Sequence, residues 1–74
     1  MNQPIPLPAN RLDVLDMPSG YMAIEVITGN QVAATKRCAT IQELIRYARN
    51  YAGMVHSPKK IEPQLRAAGI LCVE

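Results

Sequence analysis

A chain of 74 residues holds one small domain, and a hydrophobic content of 49% points to a packed core rather than disorder. Trp and Phe are absent, so the core must come from Ile, Leu, Val, Ala and Met, with three tyrosines at its rim. A net charge of +2 is low for a domain that grips phosphates, and two cysteines with one histidine are too few for a four-ligand zinc site.

The charge is unevenly placed. Residues 36–66 hold Lys36, Arg37, Arg46, Arg49, Lys59, Lys60 and Arg66 against Glu43 and Glu62. The rest of the chain is net acidic. A basic middle of this kind suits an acidic protein surface or nucleic acid.

Residues 1–19 read as an extended N-terminal arm. Pro4, Pro6 and Pro8 alternate with Ile5 and Leu7, and proline pushes its predecessor toward extended geometry. The prolines recur every second residue, whereas a polyproline II helix repeats every three. The arm therefore suits packing along a groove through Ile5 and Leu7. No signal peptide is read in this proline-rich start, so a cytoplasmic location with reduced Cys38 and Cys72 is expected. The longest apolar run, Ala67 to Val73, is too short to span a bilayer, and no membrane partner is expected.

Residues 20–74 read as one compact α+β domain. Tyr21 to Thr28 is rich in β-branched residues and predicts a strand. Gly29-Asn30 is a two-residue hairpin loop, and Gln31 to Cys38 returns antiparallel. The expected register opposes Ile27 to Val32, Val26 to Ala33 and Tyr21 to Cys38. It also lets Glu25 pair diagonally with Lys36. Three alanines in residues 31–39 leave a short helix open as the alternative there.

Thr40 to Gly53 carries the strongest local signal. Thr40 and Glu43 form a capping box, and Gly53 suits a helix end. Ile41, Leu44, Ile45, Ala48 and Ala52 recur at helical spacing, predicting a helix over 41–52. Arg46 and Arg49 fall on its outer side, with Tyr47 and Tyr51 at the border of the stripe. A loop follows, and Pro63 near its start predicts a short helix over 61–68. Residues 70–73 predict a C-terminal strand that pairs with the hairpin. The expected sheet is thus small and antiparallel, packed on one main helix.

No catalytic, phosphate-binding or metal-binding signature is present, and each glycine stands alone. Cys38 lies near Lys36 and Arg37, but no supporting base or third group accompanies it. The expected function is therefore non-enzymatic, without cofactor or metal. The candidate contact residues are Ile5, Leu7, Arg46, Tyr47, Arg49, Lys59 and Lys60, since Arg and Tyr anchor interfaces.

In size and layout the chain resembles the small phage-encoded host-takeover proteins. That class includes inhibitors of host RNA polymerase and anti-CRISPR proteins. The resemblance implies a regulator or inhibitor that occupies a surface of a larger protein complex, such as host RNA polymerase, and so alters transcription. The alternative is a small nucleic-acid-binding protein using the basic residues of 36–66. Either a monomer or a homodimer fits the sequence.

Overall fold

The computed structural model describes residues 7–73. It has strands β1 (Leu7–Asp16), β2 (Met22–Thr28) and β3 (Gln31–Cys38), helix α1 (Ile41–Ala48), strand β4 (Tyr51–His56) and helix α2 (Glu62–Ala67). Among the described residues the strands form one sheet in the order β3-β2-β1-β4. β1, β2 and β3 run as an antiparallel meander, and β4 lies parallel to β1. The α+β class and the hairpin are as expected. The sheet is mixed rather than antiparallel.

The expected arm is the first difference. From Leu7 onward it forms an inner strand of the sheet, hydrogen-bonded to β2 on one side and β4 on the other. The alternation of Leu12 and Val14 with Arg11, Asp13 and Leu15 carries this strand. Leu12 is 1% exposed and Val14 6%, while the odd-numbered residues point to the opposite face.

The hairpin turns where expected, at Gly29-Asn30. Gly29 takes φ 65°, and Asn30 does not share its positive φ. Glycine at the first central position is what such a loop needs to match the twist of its strands. The register holds at Ile27–Val32 and then slips at a bulge, so that Val26 opposes Ala34 and Met22 opposes Cys38. The slip moves every later β3 side chain to the other face. Cys38 becomes fully buried beside Ile24 and Leu44, which is the reason the bulge is favourable. Lys36 lands opposite Ile24, on the face away from Glu25, and the expected Glu25–Lys36 pair does not form.

Helix α1 starts as expected. Thr40 accepts from the Glu43 N–H at 3.3 Å, and the Glu43 carboxylate accepts from Ala39 N–H at 3.0 Å. Leu44 and Ala48 are buried, with Ile41 and Ile45 packed beside them. The helix ends at Ala48 rather than at 52. Beyond it, Tyr51 to His56 gain a parallel ladder against β1, broken by one bulge at Gly53, which outweighs extending the stripe to Ala52. Residues 54–56, expected in a loop, belong to this strand.

Helix α2 lies where Pro63 places it, with Leu65 fully buried. The C-terminal segment then returns beside β4, not beside the hairpin. Val55 N–H donates to Leu71 O and Val73 N–H to Val55 O, both at 2.9 Å, around a parallel bridge between Val55 and Cys72. One core results, from Leu12, Val14, Ile24, Val26 and Val55 of the sheet and Leu44, Ile61 and Leu65 of the helical layer. Each such side chain contributes about 1.5–3 kcal/mol on full burial.

Candidate functional site

The basic residues do not gather into one patch. Arg49 caps the C-terminus of α1 and donates through Nη2 to Ala68 O at 2.8 Å, tying the ends of the two helices together. Lys60 pairs with Asp16 at the end of β1. Arg66 pairs with Glu62 at 3.3 Å on α2. Tyr47 shares a hydroxyl–hydroxyl hydrogen bond of 3.1 Å with Tyr51, their rings 5.3 Å apart. That bond, then burial, then the neighbouring Tyr51 and Cys38 hold the Tyr47 proton, pushing its pKa up to about 12.

Arg46 alone of the expected α1 cations keeps an open setting. It lines a hollow of about 260 Å³ with Lys36, Glu43, Tyr47 and Asn50. Lys59 lines a separate hollow with Ser57, Glu62 and Val73. It follows β4, at the sheet end where Asp16, Met22 and Cys38 also lie, whereas Arg46 sits in the second half of α1. The structure therefore parts Arg46 and Tyr47 from Lys59 and Lys60. Leu7 opens β1 against Tyr51, and Ile5 lies outside the described residues.

The more distinctive surface was not singled out from the sequence. Both helices and the buried core side chains lie on one side of the sheet. The other side is uncovered among the described residues. Cross-strand partners share a face, so Arg11, Asp13 and Leu15 of β1 lie there with Ala23, Glu25 and Ile27 of β2. Val32, Thr35 and Arg37 of β3 and Met54 and His56 of β4 complete it. Tyr21 joins them, its ring under the Arg37 guanidinium at 5.5 Å. Leu15 (46% exposed), Tyr21 (40%), Val32 (53%) and Met54 (46%) are four of the five large apolar side chains left exposed among the described residues. The fifth, Leu71, lies at the outer edge beside β4.

This face is charge-balanced. Arg11 binds Asp13 at 2.8 Å. Asp13 and Glu25 are direct cross-strand partners, a like-charge opposition that costs stability unless a cation answers it. Arg11 answers Asp13. Glu25 is half-buried and has no ion pair among the described residues. The signal in the sequence was the alternation Arg11-Leu12-Asp13-Val14-Leu15, which was masked by the prolines before it.

A hollow of about 390 Å³ at one end of this face is lined by Arg11, Asp13, Leu15, His56 and Ser57. Its polar groups do not form a nucleophile–base chain. The Ser57 hydroxyl is buried without a hydrogen-bond partner among the described residues, and the Asp13 carboxylate is held by Arg11. Cys38 is fully buried, and burial first, then Glu43, raise its thiol pKa, which disfavours the reactive thiolate. Among the described residues no cluster of three metal-ligating side chains occurs, and no helix is long and apolar enough to cross a membrane.

No family model matches the chain, and comparison with curated proteins and with solved structures returns no significant likeness.

Proposed function

We propose that this chain is a non-catalytic protein-binding domain whose contact surface is the bare face of its sheet. The observation that carries this reading is the gathering of Leu15, Tyr21, Val32 and Met54 on the one uncovered face. They flank a central polar row of Asp13, Glu25, Thr35 and His56, a mix of apolar and polar groups like that of contacts between separately folded proteins. Aromatic, Met and Arg side chains are the types enriched at such contacts, and Tyr21, Met54 and Arg37 supply them. The regulator or inhibitor role expected from the layout is served by such a surface, since it works by covering rather than by chemistry. Phosphate binding is less well supported, because Arg49, Lys60 and Arg66 are engaged within the chain and the bare face holds as many acids as arginines.

Site-specific photo-crosslinking tests the reading. The photoreactive residue p-benzoylphenylalanine replaces Met54 on the bare face in one protein and Gln42 on the outer side of α1 in another. Both are irradiated as purified chains and in cell lysate. A cross-linked protein product from position 54 and none from position 42 is the expected result. Equal products from both positions, or none from position 54, would remove the bare face as the contact surface.

A further inference from the structure

We propose that the open edge of β3 takes up an extended, acidic segment of a partner protein as a fifth strand, seated in the groove between β3 and α1. This site is separate from the bare face.

The backbone supplies the template. Val55 gives its N–H and C=O to the C-terminal segment, which covers the β4 edge at that point. Backbone groups alternate in direction along a strand. Leu12, opposite Val55, therefore bonds to β4, the next residue Asp13 bonds to Glu25, and Ile24 bonds to Lys36. Thr35 and Arg37 are left with N–H and C=O pointing outward from the sheet. From Ala34 to Cys38 the register has no bulge, and no proline interrupts the strand. Outward amides and carbonyls beside a helix are the setting in which an extended segment adds to a sheet edge.

The side chains point to the occupant. Lys36 shares a face with the buried Ile24, so it stands on the helix side of the edge. There it lines the hollow of about 260 Å³ with Arg46, Tyr47, Asn50 and Glu43. Neither Lys36 nor Arg46 has a carboxylate partner among the described residues. Glu43 is committed to the start of α1, where it accepts from Ala39 N–H. The Tyr47 ring is fixed by its bond to Tyr51 and forms one wall. The hollow is smaller than the usual small-molecule pocket and suits side chains projecting from a strand. β3 carries two cations and no acid, so the same edge of a second copy would bring cation to cation, which blunts self-pairing. Carboxylates two residues apart on an incoming strand share one face and meet Lys36 and Arg46 instead. Gln42 lies on the other flank of α1, in line with Arg49 seven residues on, so a segment in this groove does not reach it.

The probe is the blocked peptide Thr-Val-Glu-Val-Glu-Val-Thr, titrated to about 5 mM into the isotope-labelled full chain and followed by amide chemical shifts. A Kd of about 1 mM or below is expected, with the amides of Thr35 and Arg37 among the most shifted and slower to exchange. Lys36→Glu and Arg46→Glu should each weaken binding about fivefold, the effect of turning an exposed charge pair to repulsion. Lys59→Glu, the same charge change in the separate hollow, should leave it unaltered. The double variant Lys36→Glu with Arg46→Glu should prefer the peptide with Lys in place of Glu, a reversal that a misfolded chain cannot give. Absence of binding at the top concentration overturns the inference. So do shifts confined to residues outside β3 and α1, or equal binding of the Lys peptide by the native chain. Single-stranded DNA that moves the same amides at lower concentration overturns it too. Cross-linking at position 54 reads the bare face separately, so either reading can fall alone.

Discussion

Leu12→Ala should cost about 2–5 kcal/mol of folding stability, the range for opening a cavity at a fully buried leucine. Leu12 is 1% exposed and sits on an inner strand, against Val26 of β2 and Val55 of β4. Helices on one side and paired strands on both flanks leave little room for the site to collapse. A domain of this size has a total stability of roughly 4–11 kcal/mol, so the change removes a large share of it. The thermal midpoint should fall by about 8–40 °C, at about 4–8 °C per kcal/mol for so short a chain. The expectation is sharp because the same residue in an unpaired arm would be worth almost nothing. Circular dichroism with heat and with urea measures it.

Gly53→Val should cost about 1–3 kcal/mol through overpacking, with Gly53→Ala costing less. A Cβ at position 53 would stand 3.1 Å from Ala9 O and 3.4 Å from Ala9 Cβ. The close approach has a cause in the register. Pro8 opposes Ala52 and Arg11 opposes Met54, so two β1 residues, Ala9 and Asn10, face the single Gly53. Such a bulge pushes one backbone toward the other, and a glycine opposite makes room. A branched side chain would force β1 and β4 apart beside the core. The urea midpoint of the two variants, compared with the native chain, gives the cost and its order.

These two residues also show where the sequence could be read and where it could not. Thr40 and Glu43 signal a helix start by local chemistry alone, and Pro63 does the same for α2. The Gly29-Asn30 turn is equally local. β1 was hidden because prolines at 4, 6 and 8 dominate its approach, and because pairing on both sides is a property of the whole sheet. Gly53 fits a helix end and a strand bulge equally well. Ala9, the residue it approaches on β1, is 44 residues away, and nothing near it in sequence decides between them. The bulge in β3 was likewise invisible. Cys38 reaches the core only if the register slips, and a helix that lies beyond β3 in the chain sets that reward. The surface assignment failed for a related reason. Arg49 is an outward residue on an isolated helix, but the C-terminal end of α2 comes within reach and offers it the Ala68 carbonyl. Once the sheet is assembled with both helices on one side, the opposite face is left bare among the described residues, and its odd-numbered β1 residues lie at its middle.

The bare face and the core beneath it both depend on β1 being an inner strand. Amide hydrogen exchange on the full chain tests this most directly. Paired on both sides, the amides of residues 11–13 should be among the slowest to exchange, alongside those of Ile24 and Val26. Exchange of residues 11–13 at the rate of an unattached arm, with the β2–β3 hairpin still protected, would contradict it and take the bare face with it.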